Sequence, residues 1–414
     1  MRYSILVFIA LICPLAASGA EQPLTLDAAV DLALARAPQI AAGQAAAESA
    51  NSLAISAGRL PDPQVIVGID NVPVNGPDSF STTSDFMTMR KAGLMQTFTP
   101  GAQRRSERAV AAADIVLADS QLQATKYEVA RATSIAWLRY AATSESLDRL
   151  RALEADLETG ARAVTAALRS GRTKVSEAFA ADASVTQLKS RILQLQGELR
   201  RDQSELARWI GSEPMATPAA IPPMDDLPAK VETLRASVHE HVSLRPRDAQ
   251  VEVAEARLEL ARAARRPAWS TEISYAKRGP DYSDMASLQF TVDLPLFARN
   301  RQNPVIDSRG ADVRRAQAER EVDLRMHQAE FEQMLVSWET TGEQLRFIDA
   351  ERLPLARERT RSTVAAYRGS QGDMGAALDS FEDEAELLLE RASLQVERGM
   401  AWSYLRYLNI AEQR

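Results

Sequence analysis

Between Leu24 and Leu60 apolar residues recur along one face of a helical period, and Pro38 marks a break near the first third of the run. The run Pro61-Asp62-Pro63-Gln64 ends that helix. A short β-branched stretch, Val65 to Asn71, follows, and then a second strand-like segment, Asp85 to Thr99, closed by Pro100-Gly101. From about Gln103 to Arg169 the pattern is helical and free of proline. At ~1.5 Å per residue this predicts a helix of about 100 Å, well beyond the usual globular length. Leu150, Leu153, Leu157, Ala161, Val164 and Leu168 step along it by three and four. After a turn at Ser170 to Thr173 a partner helix is predicted from Val175 to Ile210, with Val185, Leu188, Ile192, Leu195 and Leu199 on one heptad-like seam. The two helices read as a coiled-coil hairpin.

The same order then repeats. A proline-rich linker, Glu213 to Ala229, precedes a helix from about Lys230 to Arg266, a strand from Trp269 and a second strand from Met285 to Phe297. A long helix is expected from about Pro304 to Tyr367, a turn from Arg368 to Gly375, and a last helix to about Leu408. Three landmarks recur at nearly constant offset. Pro38 corresponds to Pro246, 208 positions on; Gly76-Pro77-Asp78 corresponds to Gly279-Pro280-Asp281, 203 on; ALRSG from Ala167 corresponds to AYRGS from Ala366, 199 on. The chain is therefore read as a tandem duplication of helix–strand–strand–helix–helix. The first repeat is placed at 21–212 (strands about 64–98, hairpin about 103–210), the linker at 213–229, and the second repeat at 230–414 (strands about 269–297, hairpin about 304–408).

In the run Leu288 to Leu296, Leu288, Phe290, Val292, Leu294 and Leu296 share one strand face, while Gln289, Thr291 and Asp293 share the other. This alternation suits a membrane barrel strand and an ordinary half-buried soluble sheet alike. Number shifts the balance: four strands of about ten residues fit an outer membrane but cannot close around water. Open edges are not tolerated in lipid, so a membrane role requires several chains to share one barrel. The helical hairpins would then project on one side, and both Gly-Pro-Asp turns would lie at the other.

Composition adds a compartment. Met1 to Ala20 has one early charge, Arg2, an apolar run and a small-residue end, so 1–20 is read as a secretory signal. The only cysteine, Cys13, lies inside it between Ile12 and Pro14; no lipid anchor and no disulfide are expected. The net charge of −7 argues against nucleic acid as a partner. No catalytic constellation is visible, and no cofactor or metal site is assigned. Of the three histidines, His239 and His241 are two residues apart, which does not put them on one helix face; a surface helix start is expected there, with His327 elsewhere.

The opening stretch LTLDAAVDLALARAPQIAA, the paired strand hairpins and the two Ala-x-Arg helical turns at Arg169 and Arg368 together resemble the TolC-type outer-membrane efflux proteins, over nearly the whole mature chain. That resemblance implies a mainly α protomer with a small β part. Three copies would form a twelve-stranded outer-membrane β-barrel continued by a long periplasmic α-helical barrel. It implies a passive exit duct in the outer membrane of a Gram-negative bacterium, a homotrimer in contact with outer-membrane lipid. Its partners would be a periplasmic adaptor (membrane fusion protein) and an inner-membrane pump of the resistance-nodulation-division type. The segment Asp85 to Thr99 resembles the branch serving heavy-metal pumps of the cobalt–zinc–cadmium and copper type. Its Met87, Met89 and Met95 could be soft ligands or wall packing. Ducts for drugs, other small molecules or secreted polypeptide, and a soluble periplasmic adaptor, are the other readings.

The resemblance also places the working parts. The hairpin tips, with Arg169, Gly171 and Arg172 in the first repeat and Arg368, Gly369 and Gly372 in the second, are the docking end, where glycines permit tight reversal. The family's constriction carries two aspartates three apart; Asp379 matches the second, while Ala376 stands at the first. Asp379 is thus the candidate periplasmic gate, with Asp373, Glu382, Asp383 and Glu386 as a possible acidic entrance. A solvated outer helix face is the alternative for the acidic residues after Asp379. Gly76, Pro77, Asp78, Gly279, Pro280 and Asp281 are expected as extracellular turns.

Overall fold

Helix α3 runs without interruption from Gly101 to Arg169, 69 residues, in the computed structural model, which describes residues 23–211, 216–369 and 371–408. The signal segment 1–20 lies outside the described residues. Before α3 come α1 (Leu26–Arg36), α2 (Pro38–Ser56), β1 (Gln64–Asp70) and β2 (Met89–Phe98); after it come α4 (Val175–Ile210), α5 (Val231–Ser237) and α6 (Arg245–Ala263). β3 (Trp269–Lys277), β4 (Met285–Val292), α7 (Gln302–Phe347), α8 (Leu353–Arg368) and α9 (Met374–Tyr407) complete the second repeat. Pro38 stands at the start of α2, after an extended Ala37, where its missing N–H costs nothing.

The chain divides into two compact units, each drawing on both repeats. One comprises the segment up to Ala35, Thr133–Pro223 and Glu343–Gly399. Its core is the predicted seam: Leu150, Leu153 and Leu157 of α3 and Leu188, Ile192 and Leu195 of α4 are buried together with Leu378, Phe381 and Leu388 of α9. The lead-in strand of the chain is pinned here, Leu24 N–H donating to Thr217 O at 2.9 Å and Ala219 N–H to Leu24 O at 2.9 Å. The other unit comprises Arg36–Ala132, Met224–Gly342 and the residues after Gly399. It holds all four strands and a core of Leu234, Val238, Phe331, Leu335, Tyr404 and Leu405.

The duplication is written in hydrogen bonds. Trp137 donates its indole N–H to Leu24 O at 2.9 Å, and Trp338, 201 positions on, donates to Met224 O at 2.8 Å. Each tryptophan ties its long helix to the lead-in of its own repeat.

Three expected spans are corrected. The second strand of the first hairpin starts at Met89 rather than Asp85, and the last strand ends at Val292 rather than Phe297. Pro295 has no N–H to give a ladder, and Leu296 N–H instead closes a tight turn on Leu294 O at 2.9 Å. The helix expected from Lys230 to Arg266 is broken: after α5 a 3₁₀ turn spans Val238–Glu240, and α6 begins only at Arg245. Pro246 is the cause, since its ring excludes the helical position of the carbonyl four residues earlier.

The helix expected from Pro304 to Tyr367 contains a π-helical turn at Ile348–Arg352, where Leu353 N–H reaches back to Ile348 O. Pro354 follows immediately and cannot donate to the α-helical ladder, so the widened turn takes up its missing bond. The turn also corrects phase. Arg169 lies 32 residues after Trp137, but Arg368 only 30 after Trp338. At about 100° per residue a two-residue loss would turn the second tip by about 200°. One extra π residue adds about 100° more, which brings the total to about 300° and cuts the mismatch from about 160° to about 60°.

Candidate functional site: the sheet and the hairpin tips

The four strands form one antiparallel sheet in the order β1-β2-β3-β4. Val65 pairs with Leu94, Leu94 with Ile273, and Ile273 with Leu288, so these four side chains share one face. Val67, Tyr275, Phe290 and Val292 lie on the same face by register, and every one of these eight residues is exposed, Val67 to 78%. The opposite face carries Lys91, Glu272, Ser274, Ser287 and Gln289. Lys91 forms an ion pair with Glu272 there, and Ser274 is 5% exposed. Gly93 sits against Ser274, with no room for a side chain: a Cβ would fall 2.7 Å from that of Ser274. The sheet is inside out, with its apolar side in the open and its polar side sheltered over β2 and β3, while β4 is exposed on both faces. β1 and β4 are both free edges.

The two Gly-Pro-Asp sequences make the same β-turn. Ser79 N–H donates to Gly76 O at 3.2 Å, and Tyr282 N–H donates to Gly279 O at 3.1 Å, with Pro77-Asp78 and Pro280-Asp281 at the corners. The first lies between β1 and β2, the second between β3 and β4. The turns touch: Gly279 is buried against Thr83 O, where a Cβ would come within 2.1 Å, and Arg278 binds Ser283 O at 2.8 Å and Phe86 O at 3.4 Å.

At the first hairpin tip, Arg172 N–H donates to Ala167 O at 2.9 Å and Gly171 N–H to Leu168 O at 3.0 Å, with Gly171 left-handed at φ +69°. At the second, Gln371 N–H donates to Ala366 O at 2.9 Å, the equivalent bond. Gly369 has φ −79°, an ordinary right-handed value, so the glycine freedom expected there is not used; Gly372 is instead held close to Ala366. Arg169 and Arg368 stand exposed in the last turns of α3 and α8, and Arg172 Nε donates to Ser170 Oγ at 2.9 Å. Tyr367 donates its hydroxyl to Thr173 Oγ1 at 3.3 Å, which ties the two tips together.

The acidic residues near the second tip divide by partner. Asp373 caps α9, accepting from Ala376 N–H at 3.3 Å. Glu382 accepts from Gln187 at 2.7 Å, and Arg191 lies 3.4 Å from Glu382 and 3.3 Å from Glu386. Asp383 is paired with Arg359. Glu384, buried, accepts from Thr360 at 2.9 Å. Asp379 is exposed on the α9 face that also carries Glu382 and Glu386.

Met89 and Met95 lie on one face of β2, six residues and about 20 Å apart at ~3.3 Å per residue, and Met87 falls outside the strand. They cannot share one ion. Among the described residues no group of three or more histidine, cysteine, aspartate or glutamate side chains could hold a metal ion, and no helix is long and apolar enough to cross a membrane.

Sequence reasoning missed one cluster. His241, expected at a surface helix start, is 1% exposed. Its ring meets Tyr127 edge-on at 4.8 Å, His327 at 5.0 Å and Tyr404 at 6.3 Å. Burial first, and His327 second, pull its pKa down to about 4. Burial pushes the hydroxyls of Tyr127 and Tyr404 above the usual tyrosine range. The His327 ring holds the Glu330 carboxyl below its usual range, against the burial that would raise it. Tertiary packing alone brings these residues together, so no local spacing signalled them.

No protein-family model and no curated protein matches this sequence. Solved structures do match in fold. The outer-membrane channel CmeC of Campylobacter jejuni aligns over 92% of this chain and 85% of its own, with a TM-score of 0.80 and 12% identity. VceC, an outer-membrane protein of Vibrio cholerae, aligns over 92% and 95%, with a TM-score of 0.76 and 15% identity. CusC, which forms a transmembrane channel, aligns over 92% and 90%, with a TM-score of 0.78 and 15% identity. The chain has the fold of these channel proteins, tandem repeat included.

Proposed function

We propose that this protein is the outer-membrane exit duct of a tripartite efflux system, passively passing cargo that an inner-membrane pump and a periplasmic adaptor deliver. The carrying observation is the inside-out sheet. An exposed apolar face, a polar face sheltered over β2 and β3, and two free edges are unstable alone in water and suit a strand set completed by other copies in lipid. Three copies would supply twelve strands, and the fold shared with known outer-membrane channels supports that count and location. Domain boundaries follow the duplication, with 213–229 joining the repeats. The hairpin tips would serve as the docking end, and Asp379, on an exposed stripe beside the second tip, as the gate. The turns at Gly76 and Gly279 would face the exterior.

The cargo we assign is heavy-metal cations, on the resemblance of Asp85 to Thr99 and on the acidic stripe, where a ring of carboxylates would attract cations. Purification tests the duct: the protein should sediment with outer membranes, need detergent and run as a trimer. A monomer soluble without detergent would overturn it in favour of a periplasmic adaptor. Deleting the gene should lower tolerance to zinc, cobalt, cadmium or copper. Lost drug tolerance with metal tolerance intact would assign a small-molecule duct instead. For the gate, Asp379→Asn should change the cation conductance of reconstituted channels, and an unchanged conductance removes Asp379 from that role.

A further inference from the structure

The turn that joins α5 to α6 is seated by an imidazole. His241 Nδ1 accepts the Ser243 backbone N–H at 3.3 Å, so the neutral ring carries its proton on Nε2. That Nε2 is buried without a hydrogen-bond partner, as is the Tyr127 hydroxyl, while His327 Nδ1 stands 3.6 Å from Glu330 Oε2. The groups facing the ring come from three helices: Tyr127 and Arg131 of α3, His327 and Glu330 of α7, and Tyr404 of α9. On its own turn are His239 and Glu240, both exposed. Glu330, the carboxylate beside the pair, is already shared: Arg131 lies 3.3 Å from its Oε1 and His327 Nδ1 3.6 Å from its Oε2, with Arg131 also 5.4 Å over the Tyr404 ring. A charge on His241 would therefore meet a second imidazole and a guanidinium, with no free counter-ion. Its new proton would also sit on Nδ1, turning the acceptor of the Ser243 N–H into a second donor.

We infer that His241 is a buried proton-binding site that makes the seating of the α5–α6 turn depend on pH: the neutral ring holds the turn, and the proton gained on acidification releases it. The first repeat has no counterpart. Its equivalents of His241 and Tyr404, 208 and 198 positions earlier, are Ala33 and Leu206, both fully buried and neither titratable. The buried histidine of the device therefore occurs in the second repeat only, with Tyr127 and Arg131 of α3 packed against it.

The depressed pKa sets the direction and the window. An unfolded or unseated histidine takes its proton near 6.5, whereas the seated ring resists until about 4. Stability of the turn is thus complete above about pH 6.5, falls as the pH drops from there toward 4, and is level below. Between pH 7.5 and 5 the seated-to-unseated ratio should fall roughly thirtyfold.

The test is hydrogen exchange of the full-length protein in detergent, read on the backbone of 238–244 and corrected for intrinsic exchange. Wild type should open roughly thirtyfold more often at pH 5 than at pH 7.5. His241→Asn keeps an oxygen acceptor near the place of Nδ1 and has no proton to gain, so it should flatten that rise; His239→Gln should leave it intact. A rise that persists in His241→Asn, or no rise in wild type, overturns the inference. Should the variant fail to fold, imidazole NMR of the wild-type protein decides, since there are only three histidines. One ring remaining neutral at pH 5 upholds the site, and three rings all charged by pH 5 overturn it.

Discussion

The sheet and the hairpin bundle solve opposite problems with the same kinds of residue. In the bundle, leucines at steps of three and four turn inward, and arginines and glutamates pair on the outside; Lys189 with Glu158 is one such pair. In the sheet, leucine, isoleucine, valine and phenylalanine turn outward, while Ser274 and the Lys91–Glu272 pair are sheltered. Burial in the bundle is complete within one chain. In the sheet it is not, and in the proposed duct lipid and the strands of other copies would supply the missing half.

A buried leucine of the bundle gives the largest expected effect. Leu157, 2% exposed, should lose about 2–5 kcal/mol on Leu157→Ala, read by denaturant titration of the detergent-solubilised protein. The sheet sharpens the contrast. Val67→Arg places a charge on a side chain that is 78% exposed. A water-facing sheet would accept it, but one facing lipid should lose about 2–4 kcal/mol if Val67 lies near the midplane. The measurement is membrane insertion, followed by heat stability of the extracted oligomer. An arginine tolerated at Val67, Leu288 and Phe290 together would break the comparison and the duct with it.

Between these extremes stand the two indole anchors. Trp338→Phe takes the indole donor from Met224 O, whereas Trp137→Phe takes one of two donors from Leu24 O, which keeps the Ala219 N–H; a lost donor costs up to about 1–3 kcal/mol. Trp137 is fully buried and Trp338 only partly, so the first substitution should still cost more through lost packing, although Leu24 O keeps a second donor, as denaturant midpoints will show. Equal costs would mean that burial does not decide the strength of the anchor.

These anchors also mark how far the sequence could be read. The hairpins were legible because a helical period repeated over tens of residues is a local signal; Val175–Ile210 matches its predicted bounds. The duplication was legible because Pro38, Gly76 and Ala167 keep their order and spacing at Pro246, Gly279 and Ala366. Alternation in Leu288 to Leu296 told the two faces apart but not which one water would see. Pro295 ended the strand, Pro246 broke a helix and Pro354 widened one, three effects of proline's missing N–H or its ring at positions where pattern alone favoured continuation. Least legible were His241, Tyr127, His327 and Tyr404, up to 277 positions apart in the chain and brought together by packing.

The smallest effect concerns the acidic stripe of α9. Within it Glu382 and Glu386 are held by Arg191 of α4, while Asp379, one turn nearer the tip, stands exposed. Both ion pairs are partly solvated, so Arg191→Gln should change stability by less than about 1 kcal/mol. Its consequence is electrostatic: two carboxylates lose their shared cation and join Asp379 on the same face. If that face lines the conduction path, the variant should favour cations more strongly than wild type in reconstituted bilayers, and the gain should shrink as salt rises. Asp379→Asn should move selectivity the other way. Should Arg191→Gln leave selectivity unchanged while Asp379→Asn alters it, the gate is Asp379 alone and the stripe beyond it is an outer helix face stitched to α4.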